Sequence, residues 1–378
     1  MTVVGVPTEI KVDEHRVGLT PAGARELTGR GHTVLIQAGA GAGSAIPDAD
    51  FVAQGATIVP DADAVFADAD LVVKVKEPQP AEVARLREDQ TLFTYLHLAP
   101  DAELTHGLIA SGATSIAYET VTDPRGRLPL LAPMSEVAGK LATQAGAYTL
   151  HKHSGGRGIL LGGVAGVAAA KVMVIGGGVV GTNAARVAIG MGADVAIYDR
   201  SIERLRELEQ TLGGAADTCF ASTLDVEQGI AEADLIIGAV LVHGAKAPSV
   251  IRRDQLPALK PGAVLVDVSI DQGGCFETSR PTTHSEPTYE VDGIVHYCVA
   301  NMPGAVPITS TRALTNATLP YVLQLADRGV RDALLADPGF LEGLATIGGR
   351  LTSEPVARDQ GLDFVAPAQA LEGELAVA

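Results

Sequence analysis

The sequence has few cysteines and no closely spaced pair of them. Three occur in 378 residues, and none belongs to a Cys-x-x-Cys motif. A sparse and odd set of thiols argues against a disulfide framework and fits a reducing compartment. The first residues also lack a basic segment followed by an apolar one, so we expect no secretion signal and a cytoplasmic protein.

Positive charge and long apolar runs are scarce as well. The chain has 28 Lys and Arg against 45 Asp and Glu, a formal net charge of −17. Such a charge repels phosphate backbones and anionic lipid surfaces, so we expect a small-molecule ligand and neither nucleic acid nor membrane as partner. The most apolar stretch, residues 159–181, is rich in glycine and interrupted by Lys171. A membrane-spanning helix needs about 20 continuous apolar residues.

The sequence is rich in short apolar runs that are separated by Gly, Asp and Pro and alternate with helical segments. This alternation predicts parallel sheets, and a length of 378 residues exceeds what one hydrophobic core usually supports. We therefore predict an α/β protein of two Rossmann-like domains, each with a doubly wound parallel sheet, and a cleft between them. The first domain is assigned to residues 1–130 plus 307–378, and the second to residues 131–306.

The apolar runs predict two series of strands. The first comprises residues 3–7, 33–37, 71–76, 91–98 and 115–120, and the second comprises residues 171–175, 193–199, 233–240, 263–270 and 294–300. Helices are predicted at residues 22–30, 80–87, 135–153, 182–191 and 309–326, the last with a kink before Pro320.

A glycine-rich loop follows the first strand of the second series. Gly176, Gly178 and Gly181 form a G-x-G-x-x-G motif between that strand and a helix. They would allow a tight turn, the approach of a pyrophosphate and close helix packing, respectively, and the helix N-terminus would offer N–H groups to the phosphates. Asp199 ends the next strand, where a carboxylate binds a ribose hydroxyl and repels a 2′-phosphate. The pattern predicts NAD rather than NADP, although Arg200 beside it could accept the extra phosphate.

Charged residues are predicted at the carboxyl ends of strands, where open α/β sheets bind their ligands. Arg16, Lys76 and His97 follow strands of the first series, and Asp271 follows one of the second. An arginine can grip a carboxylate, a lysine can polarise a carbonyl, and a histidine suits proton transfer. Lys74 would share a strand face with Lys76, which an anion or solvent could explain, but alone it is better interpreted as a solvated or structural cation than as a ligand. Each of these residues taken singly could be structural, so a functional role requires that they converge.

Several short segments together resemble the L-alanine dehydrogenase family. They are PTEIK at 7–11, RVGLTP at 16–21, VKEP at 75–78, LHL at 96–98, AYET at 117–120, PMSEVAG at 133–139, DQGGC at 271–275 and NMPG at 301–304. The resemblance covers essentially the whole chain. It implies reversible, NAD-dependent oxidative deamination of L-alanine to pyruvate and ammonium by a homohexamer whose substrate domain is built from both chain ends.

The resemblance also implies roles for individual residues. Arg16 and Lys76 would bind the substrate, His97 would be the acid/base, and Asp271 would be a second catalytic residue. No metal is expected. The implied NAD contacts are Ser135, Gly176, Gly178, Val179, Val180, Gly181, Asp199, Arg204, Val240, Leu241, Ile270, Asn301 and Met302.

Three alternatives share the glycine-rich loop. The NAD-binding subunit of a proton-translocating transhydrogenase is the nearest, and it would be a partner of membrane subunits. A saccharopine-type dehydrogenase is the second, and a non-catalytic NAD-binding protein is the third, because a motif does not prove chemistry. The first two are not expected to carry Lys76, His97 and the segment MSE at 134–136 together.

Overall fold

A computed structural model describes residues 1–240 and 249–373, and the chain divides into two compact units. Unit 1 comprises Met1–Met134 and Val306–Ala378, and unit 2 comprises Ser135–Ala305. Each unit has its own sheet with helices packed on it. In the described part of the chain no helix is both long enough and apolar enough to cross a bilayer.

The described residues form fifteen strands. They are β1 Val3–Val6, β2 Thr33–Gln37, β3 Thr57–Val59, β4 Leu71–Val73, β5 Thr91–Thr94, β6 Thr114–Ala117, β7 Lys171–Ile175, β8 Asp194–Asp199, β9 Asp217–Phe220, β10 Leu235–Gly238, β11 Val264–Asp267, β12 Thr288–Val291, β13 Ile294–Tyr297, β14 Leu344–Ile347 and β15 Arg350–Leu351.

The two sheets are mainly parallel. The order in unit 1 is β15-β14-β6-β5-β4-β1-β2-β3, with β14 antiparallel to β6 and β15. The order in unit 2 is β12-β13-β11-β10-β7-β8-β9, with β12 antiparallel to β13. The predicted α/β class with two Rossmann-like domains is therefore confirmed.

The helices lie between the strands, as the alternation predicted. They are α1 Pro21–Gly29, α2 Asp48–Val52, α3 Ala62–Asp68, α4 Pro80–Val83, α5 Ala102–Ser111, α6 Ala132–Thr149, α7 Val179–Gly190, α8 Ile202–Leu212, α9 Thr223–Glu232, α10 Pro307–Ala336, α11 Pro338–Leu341, α12 Glu354–Gln360 and α13 Pro367–Gly373. The helix predicted at 80–87 ends early, at Val83, and the one predicted at 135–153 begins and ends earlier, as α6.

The predicted kink before Pro320 is wrong. Helix α10 continues through Pro320, and its break is at Gly329, where φ is 75° and ψ is 165°. Proline removes one backbone hydrogen-bond donor, but it does not force a break when the turns before and after it are packed against the rest of the unit. Buried residues of α10 continue with helical spacing across Pro320 at Leu314, Thr318, Val322 and Leu325.

Several strands of the central sheets end earlier than predicted. β4 ends at Val73 rather than residue 76, and β5 ends at Thr94 rather than residue 98. The apolar pattern misled the prediction because it continues into loops that are themselves buried. Such buried residues after strand ends include Val75, Leu96, Tyr118, Ile270 and Val299.

The core of unit 1 joins the two ends of the chain. Phe93 on β5 contacts Tyr118 at 4.4 Å and Phe340 at 5.7 Å between ring centroids, so a C-terminal residue packs against the N-terminal sheet. Aromatic pairs at these distances add to the free energy gained by burial. The hydroxyl of Tyr118 donates to the backbone oxygen of Lys74 at 2.9 Å, which links this aromatic cluster to a buried charge.

Lys74 is a fully buried cation held by two buried carboxylates. Its Nζ donates to Glu9 Oε2 at 3.1 Å and to Glu82 Oε1 at 2.6 Å. Burial acts to lower the pKa of Lys74, but the two carboxylates raise it above its usual value, so the lysine is charged. The interpretation of Lys74 as a structural cation is therefore supported, whereas a solvent-exposed or ligand-facing position is not.

Replacing Lys74 by Met is expected to lower the free energy of unfolding by about 3–5 kcal/mol, because Glu9 and Glu82 would stay buried without their cation. Urea unfolding followed by circular dichroism at a fixed protein concentration measures the effect. The control is Lys171→Met, which removes an exposed lysine paired with Glu232 and should change the midpoint little. Equal midpoints for the two variants would contradict a structural role for Lys74.

Candidate active site

Three of the predicted site residues of unit 1 follow adjacent parallel strands. Arg16 follows β1, Lys76 follows β4 and His97 follows β5, and the sheet order β5-β4-β1 places the ends of these strands side by side. Gly18 shows how closely the first loop approaches: a Cβ at this position would lie 2.7 Å from the backbone oxygen of Val73. The segment after β1 therefore runs against the carboxyl end of β4.

Arg16 is buried and its guanidinium is oriented by an acid. Nε donates to Glu14 Oε1 at 2.7 Å, and Nη2 donates to Glu14 Oε2, so the two planar groups pair through two hydrogen bonds. Nη1 contacts the sulfur of Met134 at 2.9 Å. Burial acts to lower the pKa of Arg16, but Glu14 raises it above its usual value, with further contributions from Tyr95 and Glu9. The site thus contains a fixed, permanently charged arginine.

Lys76 and His97 meet at one carboxylate, that of Glu77. Glu77 Oε2 lies 3.7 Å from Lys76 Nζ and 3.9 Å from His97 Nδ1. The other oxygen, Oε1, accepts a hydrogen bond from Lys11. Burial would raise the pKa of Glu77, but Lys76, His97 and Lys11 hold it below its usual value. A carboxylate whose pKa is lowered, and which is therefore ionised at neutral pH, lies between the lysine and the imidazole.

A second carboxylate fixes the backbone beneath the imidazole. His97 has a φ of 51°, which is the left-handed region that residues with a side chain rarely adopt. Glu119 accepts from the backbone N–H of His97 at 2.6 Å and from that of Leu96 at 3.2 Å. Strained backbone of this kind persists when its surroundings hold it and is frequent at functional sites.

Lys74 and Lys76 have different surroundings, so the prediction that the two lysines share one strand face is wrong. Because β4 ends at Val73, the alternation of a strand does not extend to either residue. Glu9 connects them, since its carboxylate pairs with the ammonium of Lys74 and accepts from the backbone N–H of Lys76 at 3.4 Å. Lys74 therefore supports the segment that carries Lys76.

In unit 2 the glycine-rich loop has the predicted strand–loop–helix context, between β7 and α7. Gly176 has a φ of 102°, and a Cβ there would overlap the backbone oxygen of Ala239. A Cβ at Gly181 would overlap the backbone oxygen of Gly176. Gly178 is different, because a Cβ there would meet nothing within 4 Å. Space is thus kept open at the loop position where the motif brings a pyrophosphate closest.

Asp199 and Arg204 both hold the glycine-rich loop from the side. Asp199 Oδ2 accepts from the N–H of Gly177 at 2.7 Å, and Asp199 Oδ1 accepts from the N–H of Ser201 at 2.8 Å. Arg204 Nε donates to the backbone oxygen of Gly177 at 2.7 Å, and Nη2 donates to Thr182 Oγ1 at 2.8 Å. The resemblance implies that Arg204 contacts the coenzyme; in the structure its guanidinium forms hydrogen bonds that stabilise the loop.

The remaining predicted residues of unit 2 follow the neighbouring strands. Val240 follows β10, Ile270 and Asp271 form a single 3-10 turn after β11, and Asn301 and Met302 follow β13. Asn301 has a φ of 58°, and its backbone N–H lies 3.4 Å from Asp271 Oδ2. The strand order thus places these residues along one edge of the sheet, next to the glycine-rich loop.

Ser135 lies in helix α6, near its N-terminus. Leu241 lies outside the described residues. Over residues 1–240 and 249–373, no cluster of three or more His, Cys, Asp or Glu side chains is placed to hold a metal ion.

The carboxylates that hold these groups were not predicted from the sequence. Glu14, Glu77 and Glu119 contact Arg16, Lys76 and His97, respectively. Asp267, at the end of β11 and four residues before Asp271, is fully buried. Two signals were present: Glu77 and Glu119 lie inside the segments VKEP and AYET, and acidic residues in buried segments need partners.

Comparison with known proteins covers both units. A family model described as the alanine dehydrogenase/PNT N-terminal domain matches residues 5–138, and the model of the C-terminal domain matches residues 142–354. The alanine dehydrogenase of Halomonas elongata is 60% identical over 362 residues, which cover 96% of this chain and 98% of that protein.

Solved structures give the same result. A structure of L-alanine dehydrogenase aligns with a TM-score of 0.91 at 50% identity, covering 95% of this chain and 99% of that one. A transhydrogenase from Sinorhizobium meliloti aligns with a TM-score of 0.78 at 25% identity, covering 93% of this chain and 99% of that one. The similarity thus extends across both units and is greater for the first structure.

Gly178→Ala is expected to weaken NADH binding about tenfold or more, because the added methyl would displace a phosphate from the N–H groups of the loop. The fold should tolerate the change, since Gly178 has a φ of −67° and open space around it. Fluorescence titration with NADH measures the dissociation constant.

The matched control for this variant is Gly190→Ala. Gly190 is the last residue of the same helix, α7, and a Cβ there also meets nothing within 4 Å. The control should leave NADH affinity unchanged and stabilise the protein by about 0.4–1 kcal/mol. Equal NADH affinities for Gly178→Ala and Gly190→Ala would remove the loop from coenzyme binding.

Proposed function

The chain belongs to the alanine dehydrogenase/PNT family, and we propose that it catalyses the NAD-dependent oxidative deamination of L-alanine to pyruvate and ammonium, and the reverse reaction. The observation that carries this proposal is the convergence of Lys76 and His97 on Glu77 beside the buried Arg16 segment. This combination supplies fixed positive charge together with a titratable imidazole, which an amino-acid dehydrogenase needs.

Unit 1 is proposed to bind the substrate. The charge of Arg16, fixed by Glu14, would attract the carboxylate of alanine or pyruvate, and Lys76 would stabilise the oxygen that develops on the α-carbon. Both cations are nearly inaccessible to solvent, with 2% and 5% of their surface exposed. Charge in such surroundings acts more strongly on a ligand than charge in water.

His97 is proposed as the acid/base. Oxidation of alanine at the α-carbon gives an iminium ion, which water attacks, and the proton of that water must be taken up before ammonium leaves. Histidine is the side chain best suited to take up and return such a proton, and we assign that role to His97. Glu77 would stabilise the imidazolium while it holds the proton, since its carboxylate lies 3.9 Å from Nδ1. Asp271 is proposed as the second catalytic residue.

Unit 2 is proposed to bind NAD, which when bound accepts the hydride from the α-carbon. Gly176, Gly178 and Gly181 would shape the phosphate site together with Val179 and Val180 at the start of α7. Asp199 Oδ2, which accepts from the N–H of Gly177, would also accept a hydrogen bond from a ribose hydroxyl. Arg204 would hold the loop in place through its hydrogen bond to the backbone oxygen of Gly177. The further contacts proposed are Ser135, Val240, Leu241, Ile270, Asn301 and Met302.

We also propose that the protein is a cytoplasmic homohexamer, with domains as assigned from the sequence. The three cysteines are free thiols, as expected in a reducing compartment. An apolar groove on unit 2, lined by Leu141, Ala145, Tyr148 and Tyr297 among others, supports association, because 60% of the Tyr148 surface is exposed in the single chain.

The transhydrogenase alternative has less support. The solved transhydrogenase is 25% identical to this chain, whereas the relative from Halomonas elongata is 60% identical and the solved L-alanine dehydrogenase is 50% identical. No observation in unit 1 favours a partner subunit over a small substrate.

The direct test is formation of NADH, followed at its absorbance, when the purified protein is given NAD and a panel of L-alanine, D-alanine, glycine and L-serine. We expect turnover with L-alanine and, in reverse, oxidation of NADH with pyruvate and ammonium. His97→Ala should lower kcat by about 10²–10⁴-fold because proton transfer is lost.

The His97→Ala variant also separates catalysis from coenzyme binding. Its dissociation constant for NADH should equal that of the unchanged protein, since the glycine-rich loop and His97 lie in different units. NADH binding without turnover of any amino acid in the unchanged protein would leave only a coenzyme-binding function. A normal kcat in His97→Ala would remove His97 from the mechanism.

A further inference from the structure

Asp267 is a completely buried carboxylate at the end of β11 that the proposed reaction does not use. Its two oxygens face hydrogen-bond donors. Oδ1 accepts from the backbone N–H of Ser269 at 3.0 Å and from Cys275 Sγ at 3.4 Å. Oδ2 accepts from the N–H of Cys275 at 2.8 Å, from that of Phe276 at 3.4 Å and from the hydroxyl of Ser279. One carboxylate therefore holds both ends of a loop.

The loop that Asp267 closes carries Asp271. Residues 270–272 form a single 3-10 turn between the two anchored ends, with Asp271 at its centre. Gly274 follows with a φ of 76°, and a Cβ there would lie 2.9 Å from Asp267 Oδ2, so the chain folds tightly around the carboxylate. The loop is also tied to the segment that follows β10, because Ser269 Oγ donates to the backbone oxygen of Val240 at 2.8 Å.

Asp267 is held by hydrogen-bond donors rather than by a cation. A buried carboxylate is unfavourable unless such donors or a cation compensate it, so the donors around Asp267 are required by its position. The two carboxylate oxygens accept hydrogen bonds from the backbone N–H groups of Ser269 on one side of the loop and of Cys275 and Phe276 on the other. Neutral side chains of the same size cannot accept from all of them.

We propose that Asp267 is a positioning residue that fixes Asp271 in its catalytic orientation. This inference rests on the proposed function, in which Asp271 is the second catalytic residue. Asp267 acts on the reaction through the loop, because its own oxygens are occupied by donors of residues 269 and 275–279 and it is shielded from any ligand.

The test is a double-mutant cycle with Asp267→Asn and Asp271→Asn. An asparagine at position 267 has one oxygen and one NH₂, so at least one loop N–H loses its acceptor and the turn with Asp271 shifts. We expect kcat to fall by up to about 100-fold in Asp267→Asn, as is found for small displacements of a catalytic group. In the Asp271→Asn background, the same change should have almost no further effect on kcat.

Asp234→Asn is the matched control. Asp234 is also a buried carboxylate of the unit 2 sheet, but it directly precedes β10 and so lies at the amino ends of the parallel strands, opposite to Asp267. It accepts from the backbone N–H of Lys171 at 2.9 Å and pairs with Arg157 and Lys260. This variant should lower the melting temperature while kcat per folded molecule stays unchanged. Ser279→Ala, which removes one donor from Asp267 and preserves the carboxylate, should give a smaller loss of kcat than Asp267→Asn.

Three results separate the possibilities. If Asp267→Asn lowers only the melting temperature, as the control does, Asp267 is structural and the proposal is wrong. If the losses of kcat in the two single variants multiply in the double variant, Asp267 does not act through Asp271. If Asp271→Asn itself has a normal kcat, the role assigned to Asp271 fails, and with it the positioning role. If Asp267→Asn does not fold, the same double-mutant cycle is measured with Ser279→Ala and Asp271→Asn.

Discussion

The pairing of buried charge with carboxylates is the constraint on which the candidate site depends. Burying a charged lysine or arginine at the end of a parallel strand is unfavourable unless an acid lies against it. Unit 1 meets this requirement with Glu9 and Glu82 around Lys74, with Glu14 on Arg16 and with Glu77 beside Lys76. Because each acid also fixes the direction of its partner, the pairing that allows the cations to be buried also positions them for a ligand.

Unit 2 uses carboxylates in a related way, but on backbone N–H groups. Asp199 accepts from the glycine-rich loop, and Asp267 accepts from both ends of the loop that carries Asp271. The excess of acid in the composition therefore does more than repel polyanions. Some of the acidic side chains are internal acceptors that fix loops at the carboxyl ends of strands, where sheets of this class bind ligands.

The sequence predicted the features whose physical cause is local. The glycine-rich loop was found because Gly176 and Gly181 are required by close backbone contacts. Edge strands such as β3 and β9 were missed, since their partly exposed residues give no apolar run. Glu14, Glu77, Glu119 and Asp267 were missed because their partners are brought to them only by the folded chain.

The central claim is that a cationic site in unit 1 holds L-alanine while the α-hydrogen leaves as hydride to NAD. Incubating the protein with NAD and L-alanine deuterated at the α-carbon, followed by mass spectrometry of the reduced coenzyme, tests this most directly. The account predicts one deuterium in each NADH for each pyruvate formed. Unlabelled NADH with the deuterium released to water, or no NADH at all, would contradict it.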